Sequence, residues 1–124
     1  LRLCEEALPI DERHRSEQLL WLALMMRSIR EPGLQPSAEI SWDAVRSTAR
    51  MAVAALLRRS DWLEAGGQGL PLPDDVAEAA AAELHITLDG LLLQGLIYAE
   101  RDPEALREDL LATLQRLRDC LEPA

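Results

Sequence analysis

Two histidines with carboxylates at helical spacing are the residues of this sequence best suited to chemistry. His14 lies three residues after Asp11 and three before Glu17, and His85 lies four residues before Asp89. On a helix these spacings place the side chains on one face, where they could bind a metal or exchange a proton. A carboxylate-bridged metal site needs further carboxylates and a second histidine, and His14 lies in polar first turns that indicate a solvated side chain. We therefore expect no metal site.

The pair of His85 and Asp89 has three interpretations. It forms a structural hydrogen bond, contacts a ligand or partner, or exchanges protons in catalysis, and its carboxylate is expected to favour the imidazolium. Catalysis needs a nucleophile, and no serine or cysteine is placed beside the pair. Neither Cys4 nor Cys120 has a basic neighbour that marks an activated thiol. The glycines of residues 66–69 follow no strand, so the sequence predicts no phosphate-binding loop. Taken together, these observations predict that the chain binds no cofactor and is not an enzyme.

Composition predicts a single all-α domain. Leucine and alanine occupy 43 of the 124 positions, whereas valine, isoleucine and threonine occupy 11. The longest wholly apolar run, residues 19–26, is too short to span a bilayer, and two widely separated cysteines indicate a reduced, cytoplasmic protein. Thirteen arginines stand against 22 acidic residues, and the net charge of -9 should repel the phosphate backbone of DNA.

Proline and glycine divide the chain into an antiparallel bundle of about five helices. The predicted spans are about residues 1–8, 11–30, 36–64, 73–98 and 103–123. The first reads as the end of a helix whose start is absent. Residues 19–26 of the second helix are expected to be the most buried segment, and residues 65–73, rich in glycine and proline, to form a surface loop.

The fourth predicted helix is apolar on two faces. One face is expected to pack on the core and carries Leu84, Leu88, Leu91 and Gly95. A peripheral helix in a monomer normally exposes a polar face to water. The second apolar face of this helix therefore needs a partner. We predict a homodimer through the last two helices, with its interface at Ile86, Gly90, Leu93, Ile97, Leu110, Leu114, Leu117 and Leu121. The alternative is that the second and third helices wrap the fourth within one chain.

Large, adaptable apolar side chains on the second and third helices predict a cavity. Tryptophan and methionine side chains form suitable apolar walls, with plain core packing as the alternative. We expect this cavity between the second, third and fourth helices to bind an organic ligand and no metal. Its predicted lining is Trp21, Met25, Trp42, Ala49, His85, Leu88 and Leu92.

Residues 84–106 resemble the late dimerisation helix of TetR-family transcriptional regulators. The shared features are an apolar run leading into Asp-Gly-Leu, a Leu-Gln pair and an acidic turn with proline, here Asp89, Gly90, Leu91, Leu93, Gln94, Asp102 and Pro103. The upstream part is similar to the choline-responsive, BetI-like branch of that family. The residues that match are Pro9, Ile10, Asp11, Arg13, Arg15, Glu17, Trp21, Leu22, Ala23, Glu31 and Pro32.

The resemblance implies that residues 1–124 form the C-terminal effector-binding and dimerisation domain of a ligand-responsive repressor. The family's N-terminal helix-turn-helix domain is missing from this sequence, so DNA would be bound only through that domain. The effector is an unidentified small organic molecule. The BetI-like branch suggests a quaternary amine, but that cation needs two or three aromatic faces and the chain has four aromatic residues. The alternative function is a helical dimerisation or interaction domain that binds no small molecule.

Overall fold

The computed structural model describes residues 1–122, which form six α-helices. These are α1 (Arg2–Glu5), α2 (Glu12–Ser28), α3 (Gln35–Leu56), α4 (Ser60–Gly67), α5 (Asp75–Ile97) and α6 (Pro103–Leu121), with a 3₁₀ turn at Pro32–Leu34 before α3. No strand occurs among the described residues, and the predicted all-α class is confirmed. Pro123, which we expected to end the last helix, lies outside the described residues.

Aspartates cap three of the helices at their N-termini. Asp11 accepts a hydrogen bond from the backbone N–H of His14 at 2.8 Å, Asp74 caps α5, and Asp102 caps α6. Each carboxylate satisfies a backbone donor that has no partner inside the helix and lies at the positive end of the helix dipole. The predicted starts of α2 and α5 are thereby confirmed.

The predicted C-terminal end of the third helix is wrong, because the observed helix α3 ends at Leu56. Arg58 adopts a left-handed backbone conformation with φ of 55°. The N–H of Arg58 bonds to the carbonyl of Ala55, and the N–H of Arg59 bonds to the carbonyl of Ala54. These two bonds form a Schellman motif, which usually has glycine at the left-handed position. An arginine there gave no sequence signal for the break.

The glycine-rich segment is also partly helical, so the predicted loop over residues 65–73 is too long. Residues 65–67 belong to α4, which ends in a second Schellman motif with Gly69 at φ of 79°. Gly66 lies directly against α3, and a Cβ built on it would stand 3.0 Å from the Cβ of Arg50. Gly66 thus lets α4 fold back closely onto α3.

Helix α5 lies at the centre of the fold, packed between α3 and α6. Its face of Leu84, Leu88, Leu91 and Gly95 is buried, which confirms the predicted core face. By length and composition α5 could cross a membrane, but half of its most apolar window is buried inside the chain. That burial is expected of the core helix of a folded domain.

Helix α2 is peripheral, so the prediction that its second half is the most buried segment is wrong. Leu20 is 74% exposed and Met26 is 60% exposed. The reason is that α5 takes the central position, and α2 packs mainly on α3 and on the 3₁₀ turn, with a smaller contact to α5. Arg15 fixes α2 to the end of α5 by donating hydrogen bonds to the carbonyls of Gly95 and Leu96, each at 3.1 Å.

The two cysteines have opposite environments. Cys4 is fully buried, and its burial raises the pKa of the thiol to about 11. Cys120 lies exposed on α6, and both thiols are free. Cys4 therefore behaves as a small core residue.

We expect Gly95→Ala to lower the free energy of unfolding by about 1–3 kcal/mol, the usual effect of overpacking. A Cβ at Gly95 would lie 2.6 Å from Cγ of Pro9 and 2.8 Å from Cδ1 of Leu106, so the segment before α2 or helix α6 must shift. Urea unfolding monitored by circular dichroism measures the change. Gly33→Ala is the control, because no atom lies within 4 Å of the added methyl group. Equal stability of the two variants would contradict the close approach.

Candidate functional site

A cleft of about 180 Å³ opens where α2, α3 and α5 meet the segment between α1 and α2. Helix α2 contributes three of the lining residues, α3 contributes Val45, and α5 contributes three residues from one helical turn. The lining residues are Glu6, Ala7, Glu17, Gln18, Trp21, Val45, Leu88, Asp89 and Leu92. The cleft is thus shared by three helices and can respond to their relative positions.

The walls of the cleft are apolar and its charged groups are hydrogen-bond acceptors. Trp21, Leu88 and Leu92 form most of the apolar wall. The charged lining residues are all acidic, namely Glu6, Glu17 and Asp89. The cleft therefore favours a ligand with an apolar body and hydrogen-bond donors or positive charge.

Gln18 is the buried polar residue of this cleft. Gln18 is 8% exposed, and its Nε2 donates a hydrogen bond to the carbonyl of Glu6 at 3.4 Å. Its Oε1 is buried and has no hydrogen-bond partner. The reverse orientation of the amide would set two oxygens against each other, so the assigned orientation is the favourable one. Gln18 thus offers an unused acceptor beside the cleft.

A buried histidine stands behind Asp89. Arg46 Nε donates a hydrogen bond to His85 Nδ1 at 2.9 Å, which places the ring hydrogen on Nε2. His85 Nε2 lies 3.4 Å from Asp89 Oδ2. The ring of His85 also packs on Trp42, with their centroids 4.5 Å apart. His85 therefore contacts the back of Asp89 and does not line the cleft itself.

The pair does not form the imidazolium that its spacing indicated. Burial, followed by the positive charges of Arg46 and Arg50, lowers the pKa of His85 to about 4. Burial raises the pKa of Asp89 to about 6, against the opposing effect of Arg46. His85 is consequently neutral at pH 7, because loss of hydration and the nearby guanidinium groups outweigh the opposing charge of Asp43.

His14 is buried, so the prediction of a solvated side chain is wrong. Its Nδ1 lies 2.7 Å from Asp11 and its Nε2 lies 3.0 Å from Glu6, which closes over it from the segment after α1. These two hydrogen bonds raise the pKa of His14. The sequence spacing had pointed to Asp11 and Glu17 as neighbours on the same face, and Asp11 is the one that bonds to His14. Within residues 1–122, no three histidine, cysteine or acidic side chains gather as a metal-binding group.

The structure brings together only some of the predicted pocket residues. Trp21, Leu88 and Leu92 line the cleft, whereas Ala49 is fully buried in the core. Met25 and Trp42 line a separate, more open groove of about 350 Å³ between α2 and α3. Sequence reasoning missed Glu6, Ala7, Glu17, Gln18, Val45 and Asp89 as lining residues. For two of them, Glu17 and Gln18, the available signal was their helical spacing from Trp21 on α2.

The two sets of predicted interface residues have different locations. Ile86 on α5 is 72% exposed, and Leu93 and Ile97 are exposed on the same face, with Gly90 between them. Leu110, Leu114 and Leu117 of α6 are instead buried in the chain's own core against α5, and Leu121 is half-buried. The stripe of α6 is therefore corrected to a core face, because α6 needs those leucines to pack on α5. Leu111 is an exposed leucine of α6.

The chain was compared with known proteins. A family model described as the C-terminal domain of BetI-type transcriptional repressors, a TetR-type domain, matches residues 1–119. Searches of curated proteins and of solved structures gave no significant match. The family match covers every helix from α1 to α5 and nearly all of α6.

Proposed function

The chain belongs to the family of BetI-type transcriptional repressor C-terminal domains within the TetR group, and from this premise we propose that it senses a small organic effector and forms a homodimer. The observation that carries the effector proposal is the cleft between α2, α3 and α5, with its apolar wall and the unpartnered Oε1 of Gln18. We propose that the protein acts as a repressor in the cytoplasm.

The proposed dimer surface is the exposed apolar face of α5, defined by Ile86, Gly90, Leu93 and Ile97. Glycine inside a helix costs about 1 kcal/mol relative to alanine. Within the chain, a Cβ on Gly90 would meet no atom within 4 Å, so the packing of the chain itself does not explain this glycine. Close approach of α5 from a second copy explains both the glycine and the exposed apolar side chains around it.

The effector and the dimer are coupled through α5 in this proposal. Leu88 and Leu92 line the cleft on one side of the helix, and the proposed dimer surface lies on another side. An effector changes regulation only if it binds two dimer arrangements with different affinity. We propose that the occupied cleft shifts α5 and thereby alters the spacing of the two subunits.

We propose that a helix-turn-helix domain outside this chain contacts DNA. The net charge of -9 disfavours direct binding of residues 1–124 to a phosphate backbone. We assign no catalytic role to the chain, since the family is regulatory and both ring nitrogens of His85 face side chains of the protein. The alternative is a dimerisation domain without a ligand, and the effector experiment separates the two.

We expect at least one compound of a metabolite library to raise the melting temperature of the chain. A ligand at 100 times its Kd stabilises the folded state by about 2.7 kcal/mol. Val45→Phe should abolish the shift by filling the cleft from α3, while Ala55→Phe, at an exposed position on the same helix, should preserve it. If no compound in the library stabilises the chain, the alternative function, a dimerisation domain without a ligand, is favoured. If the melting-temperature shift persists in Val45→Phe, the effector binds outside this cleft.

A further inference from the structure

We propose that the effector carries a protonated primary amine on a short apolar body, with its N–H groups donating to Oε1 of Gln18 and to the carboxylate of Asp89. This inference rests on the proposed function, because it names the ligand class of the same cleft. It follows from the buried acceptor of Gln18, from the charge of the cleft and from its size.

The first argument is the unpartnered acceptor of Gln18. A buried carbonyl oxygen without a donor destabilises the folded chain, and native proteins rarely keep one that has no use. Gln18 lines the cleft but its Oε1 is shielded from solvent, so the side chain has to rotate for Oε1 to accept a hydrogen bond from a ligand there. An N–H or O–H group on the ligand then satisfies this acceptor, whereas an ether, a carboxylate or a quaternary ammonium does not.

The second argument is the charge of the lining. Glu6, Glu17 and Asp89 are the charged residues of the cleft, and no lining residue in the described chain is basic. An anionic ligand would be repelled there, and a cation would be attracted. Hydrogen bonds from an ammonium to a carboxylate are also shorter and stronger than neutral ones. Among molecules with donor groups, a protonated amine therefore fits better than an alcohol.

The third argument is that the carboxylate of Asp89 is available to a ligand. Arg46 fixes the tautomer of His85, and the Nε2 hydrogen of His85 faces Asp89 Oδ2 at 3.4 Å. This separation forms no hydrogen bond, and His85 Nε2 has no hydrogen-bond partner among residues 1–122. The lone pairs of Asp89 are therefore free to accept hydrogen bonds from a ligand in the cleft that Asp89 lines.

The size of the cleft and its aromatic content narrow the class further. A volume of about 180 Å³ lies below the roughly 300–1,000 Å³ that is usual for ligand pockets, so the ligand is small. A short alkyl or single-ring body against Trp21, Leu88 and Leu92 fills the cleft. Trp21 is the one aromatic residue of the lining, so the cleft lacks the several aromatic faces that hold a quaternary ammonium.

The test uses four probes with the same six-carbon chain: hexylamine, hexyltrimethylammonium, hexanol and hexanoate. Binding of each to the full chain at pH 7.5 is measured by titration calorimetry and thermal shift. We expect hexylamine to bind at least about tenfold more tightly than the other three. Gln18→Leu and Asp89→Asn should each weaken hexylamine at least about tenfold, and Glu83→Gln, at an exposed acid on the same helix, should leave its binding unchanged.

Each alternative result has a distinct meaning. Equal binding of hexyltrimethylammonium would overturn the need for N–H donors, and tighter binding of hexanol or hexanoate would overturn the amine while leaving the effector cleft in place. Undiminished hexylamine binding by folded Gln18→Leu and Asp89→Asn would overturn the assigned contacts. Hexylamine could also show no binding while another library compound raises the melting temperature of the wild type but not of Val45→Phe. In that case the proposed function stands and this inference is wrong.

Discussion

Ile86→Arg is expected to convert the proposed dimer into monomers of 13.8 kDa. In a two-fold dimer the substitution places two arginines on the surface formed by α5, where each loses hydration. We expect the dissociation constant to rise by at least about 100-fold, which corresponds to about 2.7 kcal/mol. Sedimentation velocity over a range of micromolar concentrations measures this change.

Ile40→Arg is the matched control for the dimer. Ile40 on α3 is 72% exposed, as is Ile86, but it lies outside the proposed dimer surface. Its replacement should leave the sedimentation of the protein unchanged, while Gly90→Arg and Leu93→Arg should act like Ile86→Arg. The proposed surface is wrong if Ile40→Arg dissociates the protein equally, or if the wild type sediments as a monomer.

The second large effect is expected from Arg50→Met, which should destabilise the fold by about 2 kcal/mol at pH 7. Arg50 on α3 donates from Nε and Nη2 to Glu78 Oε1 of α5 at 2.9 and 2.8 Å, and from Nη1 to the carbonyl of Gly69 at 3.2 Å. Glu78 also accepts the backbone N–H of Leu72 at 2.9 Å. Both charged side chains are largely buried, so removal of Arg50 leaves Glu78 with only the more distant guanidinium of Arg46, at 3.8 Å, as a counter-charge.

The pH dependence of this effect follows from Glu78. Burial alone would raise the pKa of Glu78, but the hydrogen bonds from Arg50 and Leu72 and the nearby guanidinium charges hold it below its ordinary value. A carboxyl with a lowered pKa stabilises the folded state above its unfolded pKa, and this contribution is lost as the pH falls through the folded pKa. The stability difference between wild type and Arg50→Met should therefore shrink as the solution is acidified below about pH 4.

Thermal unfolding with two further variants separates this network from surface charge effects. Arg116→Met removes an exposed ion pair with Glu83 and should change stability by less than about 1 kcal/mol. Adding Glu78→Gln to Arg50→Met should recover part of the loss, because the unpaired charge is gone. If Arg50→Met and Arg116→Met have the same melting temperature, the network does not hold α3 to α5 as described.

Periodicity predicted the faces of α5 but could not rank the helices by burial. Leu84 and Leu88 recur at a helical step with a core face, and Ile86 falls on the opposite face, so both were assigned from spacing alone. Helix α2 is equally apolar over residues 19–26 yet lies at the periphery. Which helix becomes central depends on how all of the faces pack together, and one segment does not carry that information.

The cleft was predictable in its apolar part and not in its polar part. Trp21, Leu88 and Leu92 were identified because large apolar residues on facing helices indicate a wall. Gln18 reads in sequence as a solvated polar residue, and it is buried only because the segment around Glu6 folds over α2. The same fold-back buries His14. Contacts of this kind depend on tertiary packing, which residue spacing along a helix does not reveal.

The unequal burial of the two thiols means that the protein contains its own site for a spectroscopic reporter. A maleimide reagent needs an accessible thiolate, and the raised pKa and full burial of Cys4 protect it while Cys120 is exposed on α6. A spin label would therefore attach at one position per chain without any mutation. In a symmetric dimer the distance between the two labels follows the separation of the α6 helices, so titration of an effector would reveal directly whether an occupied cleft moves the subunits.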